Sequence, residues 1–302
     1  MLDQHENNQD IKVSVCVVTY NHKNYIRECL DSLINQSASF KYEIIVGDDA
    51  STDETSDIVS EYASRYPGLI IPVLHQKNLG AARNYFSVHD LARGKYICHM
   101  DGDDLALPGK LQRSSEILDR EHDVNIVFHR MKMRSAKTKN EINDLLDTNI
   151  IGKNRFSRSD LLTIGSIACH SSKMYRRENK FIDKTNSDVL DYFTDIIQVG
   201  SGFAYLINDF LGVYHVGVGI TQSGKTKKIY LNHLEYFLKT YPQYSAEIGA
   251  NALTCFLVDL KNGRDTWRTG FRIWLQCLSV KSIPIFIKTL PLRKIFRTPS
   301  PD

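Results

Sequence analysis

Long apolar runs are missing from this chain, and so is any cysteine framework. No stretch approaches the roughly 20 consecutive apolar residues that cross a bilayer, so a spanning helix is excluded. The six cysteines (Cys16, Cys29, Cys98, Cys169, Cys255 and Cys277) are scattered, with no CxxC pair. Several lie inside apolar runs, where Cys acts as a small hydrophobe, and a reduced, cytoplasmic setting is expected. Proline is scarce, eight in 302 residues, and there is no internal repeat or low-complexity tract. The opening MLDQHENNQDIK is polar and acidic, unlike a signal peptide, and residues 1–11 are expected to form a disordered leader. What remains, 42% hydrophobic and 24% charged, is the composition of a soluble globular protein.

Charge is unevenly spread. The formal net charge is +3, yet residues 261–302 alone carry nine Lys or Arg against Asp265 and Asp302, so the rest of the chain is at −4. An acidic-to-neutral body with a basic tail points to an anionic partner for the tail. The basic residues do not line the strands, which argues against nucleic acid.

The body alternates. VSVCVVTY (13–20), YEIIVGDD (42–49), LIIPVLH (69–75), KYICHM (95–100) and VNIVFHRM (124–131) read as buried strands. Between them, 25–34 places Ile26, Cys29, Leu30 and Leu33 at helical spacing. Ser51-Thr52-Asp53-Glu54 reads as a capping box for a second helix. Residues 81–91 and 108–120 supply two more. Such alternation implies a mostly parallel sheet covered by helices, with ligands at the carboxyl ends of its strands. Residues 134–160 lack periodicity and are expected to form a flexible excursion beside the site. A helix over 187–199 and short strands at AYLIN and LGVYHV follow, then helices near 226–241, 244–260, 264–280 and 282–297.

The polar clusters fall at those strand ends: Thr19-Tyr20-Asn21, Asp48-Asp49 and Asp101-Gly102-Asp103-Asp104. Three carboxylates in four residues repel one another and call for a cation. Carboxylate oxygens suit Mg2+ or Mn2+, which keep positions open for phosphates, and Gly102 lets the chain turn and its backbone approach a ligand. A calcium loop is excluded, because LALPGKL follows where further acids are required.

In order and spacing, TYNHKNY, EIIVGDDASTDET, NLGAARN, YICHMDGDD and LPGKL resemble the nucleotide-sugar half of family 2 glycosyltransferases. The likeness covers about 12–133 and resumes at LDYFTDIIQVGSGFAYL and YHVGVGIT. It implies a GT-A type α/β fold: a Rossmann-like nucleotide-binding half (12–133), an acceptor half (134–223) and a helical, basic C-terminal extension (224–302). It also implies an inverting, metal-dependent transfer from a UDP-sugar to a hydroxyl of a glycan or lipid-linked acceptor, as in surface polysaccharide biosynthesis.

Residue by residue, the likeness places Thr19, Tyr20 and Asn21 beside the nucleotide, and Asp48 or Asp49 on the uracil N–H. Asn78, Gly80 and Asn84 would shape the wall at base and ribose, with Arg83 near a phosphate. Asp101, Gly102 and Asp103 match the DxD element, its acids contacting ribose and metal. Asp104 would orient the loop. Asp191 falls where the family carries its general base, with Gly202 eleven residues on. Two departures stand out: Leu190 at an often acidic position, and His215 where an arginine usually follows the tyrosine. His215 is thus a candidate diphosphate or metal contact. Asp188 and Asp195 read as solvated helix charges, His99 as an interior residue, and His129 and His170 as candidates for the acceptor cleft.

The segment TGFRIWLQCLSVKSIPIFIKTLPLRKIFR holds six basic residues and no acid among large apolar ones. It fits either an interfacial element on an anionic membrane or helices packed on the catalytic domain. A sugar nucleotidyltransferase would need a glycine-rich basic loop after the first strand, which TYNHKNY is not. A catalytically silent sugar-nucleotide or carbohydrate-binding module stays open.

Overall fold

Four β-branched runs build the first half of the sheet. In the computed structural model, which describes residues 11–182, 188–218, 224–296, 299 and 301, the chain begins with Val13–Thr19 (β1), Ile26–Ile34 (α1), Tyr42–Asp48 (β2) and Thr55–Arg65 (α2). Ile70–Leu74 (β3), Ala81–Leu91 (α3) and Tyr96–Asp101 (β4) follow. These strands run parallel in the order β3-β2-β1-β4. Both faces are covered, so β1 reads as a mostly apolar run, with Val13, Val15, Cys16 and Val17 fully buried and the one buried polar residue among them, Ser14, bonded to Glu43. Each Val or Ile so buried contributes roughly 1.5–3 kcal/mol relative to exposure. On α1 the stripe Ile26, Cys29, Leu30 and Leu33 faces the sheet, as its spacing requires.

The second half is mixed. Leu105–Ala106 (β5), Lys110–Arg120 (α4) and Val124–Ser135 (β6) lead into Glu141–Asn143 (β7), Thr148–Ile151 (α5), Arg155–Ser157 (β8) and Arg158–Ile164 (α6). Met174–Arg176 (β9), Asp191–Gln198 (α7) and Phe203–Val216 (β10) complete it. The full order is β3-β2-β1-β4-β9-β6-β10-β5, with β9 antiparallel to both neighbours. Gly224–Thr240 (α8), Ser245–Lys261 (α9), Trp267–Cys277 (α10) and Ser282–Ile295 (α11) end the described chain.

Several expectations are corrected here. Residues 134–160 are not a flexible excursion. They form a β6–β7 hairpin, a true capping box at Ser157 and Asp160, and the strand β8 on β10. No capping box forms at 51–54; Ser51 and Thr52 turn back to Asp48 and Asn21, and α2 starts at Thr55 under Asp53 Oδ1. The two short strands are one, β10, bent by register shifts between Ile207 and Gly212. The helix expected over 187–199 begins at Asp191. The leader at 1–10 lies outside the described residues. The C-terminal helices pack on the body, one of the two expectations for the tail: Leu231, Leu234, Phe237, Ile248 and Ala252 share one core with Leu161, Leu162, Tyr192 and Phe193.

Candidate active site

Register brings the strand ends level. Thr19 pairs with Asp48 and Val18 with Asp101, so the tips of β1, β2 and β4 meet at one carboxyl edge. Gly102 follows Asp101 and donates its N–H to the Val18 carbonyl at 2.8 Å. A Cβ there would stand 2.7 Å from Thr19 Cβ, so glycine is required by close packing on β1 and not by a left-handed turn.

The carboxylates that follow are not equivalent. Asp101 Oδ1 lies 3.2 Å from His99 Nε2, and its N–H donates to Ser171 Oγ at 3.0 Å. Ser171 Oγ in turn donates to Asp101 Oδ2 at 3.2 Å. Burial would raise Asp101, but the His99 contact brings it below its ordinary value. Asp103 is nearly buried; burial, then the charge of Asp101, pushes it up to about 7. Asp104 is fully buried and rises well above the carboxylate range, from burial and the charges of Asp103 and Asp101. Its Oδ1 accepts the His215 N–H at 3.0 Å, which orients the loop, while Oδ2 is buried with no partner.

His215 sits on β10 against the same loop. Its Nδ1 lies 2.5 Å from the Asp103 carbonyl, which fixes the proton there and leaves Nε2 as the lone-pair nitrogen. Burial lowers it below the ordinary histidine value, so the neutral form prevails. Carboxylate oxygens and a neutral imidazole are donors of the kind a divalent cation takes, but among the described residues the three side chains whose donor atoms lie within 4.8 Å of one another are His99, Asp101 and His170, not Asp101, Asp103 and His215.

The residues expected at the nucleotide divide into two groups. Asp48 and Asp49 act first on backbone. Asp48 takes Ser51 N–H and Oγ and Ser56 Oγ at 3.0, 2.5 and 2.5 Å. Asp49 takes the N–H groups of Leu79 and Gly80 at 2.6 and 2.9 Å, and Asn78 Nδ2 donates to the Asp49 carbonyl at 3.1 Å. Asn21, at φ 56°, closes the facing loop through Thr52 N–H at 2.8 Å, and Tyr20 is exposed beside it. Thr19 is buried, with Oγ1 unpartnered. Asn84 does not line the nucleotide wall. It is buried, and Nδ2 donates to the Gly47 carbonyl at 2.9 Å, pinning α3 to β2. Arg83 points outward from α3.

Asp191, the first residue of α7, faces the same opening. With Asp101, His99, His170, Tyr85 and Val18 it lines a small cleft of about 100 Å3. Its side chain is 55% exposed, with Oδ1 held 3.0 Å from His170 Nδ1. Desolvation is the cause that would raise it above the ordinary carboxylate value, with Lys173 and His99 opposing, and on a side chain this exposed that cause acts weakly. Asp195 is not a solvated charge, since it is buried and accepts Lys173 Nζ at 3.0 Å. Asp188 precedes the helix, and its carbonyl meets His233 Nε2 at 3.0 Å. His170 does face the cleft, whereas His129 is fully buried and turned to the Arg130 carbonyl. Ser171 carried no sequence signal, because a lone serine between short elements has none.

Residues 14–181 match the family model described as glycosyl transferase family 2. The chain belongs to that family. An uncharacterized protein of Mycobacterium bovis is 32% identical over 206 residues, covering 67% of this chain and 58% of that protein's length. S. aureus TarS 1-349 in complex with UDP superposes with a TM-score of 0.68 at 18% identity, over 95% of this chain and 87% of that one. The mannosyltransferase PcManGT from Pyrobaculum calidifontis, in complex with GDP-Man and Mn2+, gives 0.60 at 18%, over 94% and 81%. These likenesses bear out the GT-A architecture. In this member of family 2 the matched stretch ends before Asp191 and His215.

Proposed function

We propose that the protein transfers a sugar from a UDP-sugar to an acceptor hydroxyl with inversion at the anomeric carbon. The observation that carries this reading is the shared cleft: the DxD carboxylate Asp101 and the lone exposed carboxylate Asp191 line one opening at the sheet's carboxyl edge. Asp101 and Asp103 would hold Mn2+ or Mg2+. When bound, the ion neutralises charge on the departing diphosphate. Asp49 suits the uracil N–H better than Asp48, because each of its oxygens accepts a single backbone donor and keeps a lone pair free. Asn21, Tyr20, Asn78 and Gly80 frame the nucleotide.

Asp191 acts as general base. It takes the proton of the acceptor hydroxyl as that oxygen bonds to the anomeric carbon, and the bond from that carbon to the diphosphate oxygen breaks with its electron pair leaving on UDP. Its side chain, 55% exposed at the cleft, is open to an acceptor hydroxyl, as the task requires. UDP release from a panel of UDP-sugars, with and without Mn2+, tests the reading, alongside thermal shift. A donor at 100 times its Kd should add roughly 2.7 kcal/mol of stability. Stabilisation without any UDP release would favour a silent binding module.

The tail supports a peripheral position on an anionic membrane, at the cytoplasmic face, with a glycan or lipid-linked acceptor. One side of α11 packs on α6 and α9. The other exposes Ile283, Ile287 and Leu290, and the connection before it exposes Leu278 (90%) and Val280 (83%). Lys281, Lys288 and Lys294 lie among them, also exposed. Apolar side chains flanked by cations fit a lipid surface of negative charge. No helix among the described residues is long and apolar enough to cross a membrane.

A further inference from the structure

The turn His170–Ser172, just before β9, touches both ends of the proposed reaction centre. Ser171 Oγ bonds Asp101 on the donor side. The adjacent His170 approaches Asp191 on the acceptor side, its Nδ1 lying 3.0 Å from Oδ1. We propose that His170 is the positioning residue of Asp191, fixing its Oδ1 so that Oδ2 presents to the acceptor at a distance from Asp101 set by this one turn. The inference rests on Asp191 being the base.

Three observations support it. The ring is locked: His170 is 9% exposed, lies 3.9 Å between centroids from His99, and stacks on Tyr85 at 5.4 Å. The turn beneath it is locked too, since buried Lys110 donates from Nζ to the Ser171 carbonyl at 2.5 Å and Ser172 Oγ donates to the Cys169 carbonyl at 2.6 Å. Finally, Nε2 is buried with no partner, and Nδ1 is the ring nitrogen that faces Asp191. Burial, with His99 and Lys173 nearby, keeps the imidazole neutral. A neutral N–H donor orients the carboxylate without drawing off its basicity as an imidazolium would.

The same ring has a competing use. His99, Asp101 and His170 each bring a donor atom within 4.8 Å of the others, a set that could take a metal ion. The variants therefore separate positioning from ligation. His170→Phe keeps the stacking and removes the donor; His170→Ala removes both; His170→Asn restores an N–H near Nδ1. With the UDP-sugar most readily hydrolysed in the panel, kcat in His170→Phe and His170→Ala should fall roughly 10- to 100-fold, as for a misplaced base. Affinity for UDP with Mn2+ should stay within about twofold, and His170→Asn should recover most of the rate. Adding His170→Phe to Asp191→Asn should cost no more than about twofold further, because the two act as a unit.

Imidazole 15N spectra of the ligand-free protein, with the His170 signal identified by its absence in His170→Asn, should show the Nδ1–H form, perturbed by Asp191→Asn. An Nε2–H form, normal turnover in both donor-less variants, or additive losses would overturn the proposal. A raised Mn2+ requirement in His170→Phe would make the ring a ligand instead. Normal turnover in Asp191→Asn itself would fail the base assignment and leave the contact measured by NMR standing.

Discussion

At the residue scale, Asp103 links burial, metal and pH. Its ordinary value near 3.8 is pushed up to about 7 by burial and by Asp101. Between those values the folded, metal-free protein holds a proton that the unfolded chain has lost, so folding gains from it at low pH. That contribution is lost as pH rises through about 7. In EDTA, Tm should fall from pH 5 to pH 8, and Asp103→Asn should flatten the slope. Mn2+ should restore Tm at pH 8 in the parent and not in the variant; equal slopes would reject this. Gly102→Ala places its methyl 2.7 Å from Thr19 Cβ. A loss of about 1–3 kcal/mol from overpacking is expected in urea unfolding, together with weaker UDP binding. That Asp101, Asp103 and Asp104 cluster at the carboxyl end of β4 was legible, because they follow an apolar strand directly. Asn84 was not, because nothing in NLGAARN tells which face of α3 meets Gly47. Asp48 was only half legible, since its donors Ser51 and Ser56 sit in the turn after β2 and the first turn of α2, which the sequence does not show folding back on it.

Among the elements, α7 depends on a buried ion pair. Lys173 donates to Asp195 Oδ1 and to Thr194 Oγ1 at 3.0 and 3.1 Å, both charged residues being buried. Burial opposes its charge, but Asp195 more than offsets this and holds Lys173 above its ordinary value. The pair ties the chain entering β9 to the helix that begins with Asp191. Asp195→Leu alone should cost about 3–5 kcal/mol, because it strands a buried ammonium. Lys173→Met with Asp195→Leu should recover most of that, and chemical denaturation of the three variants measures the difference. A double variant as unstable as the single would show that the helix needs the charges themselves. Strands β1, β2, β4 and β6 were legible from their continuous β-branched runs. β5 and β9 span two and three residues, too short for any period to register, and their pairing is decided by tertiary contacts. The excursion at 134–160 was misread for the same reason: its order comes from the Asp144 carboxylate on Arg130 and the Met131 N–H, not from apolar spacing.

For the whole molecule, α10 and α11 serve both packing and exposure. Ile273 and Cys277 are buried against the core, as the packing reading of the tail expects, while Leu278, Val280 and Ile287 stand out from it. Replacing Val280 and Ile287 by Glu should leave UDP-sugar turnover unchanged and release the protein from phosphatidylglycerol vesicles in a flotation assay. Raising the salt should weaken binding of the parent by screening. Equal flotation of parent and variant would leave this face without a lipid role. The claim on which the rest depends is that donor binding and proton removal belong to separate carboxylates in one cleft. Turnover and UDP affinity of Asp191→Asn, determined together, test it most directly. Turnover should fall roughly a hundredfold or more, the scale of a positioned general base, while UDP with Mn2+ binds as in the parent. Near-normal turnover, or a loss of UDP affinity as large as the loss of rate, would contradict it.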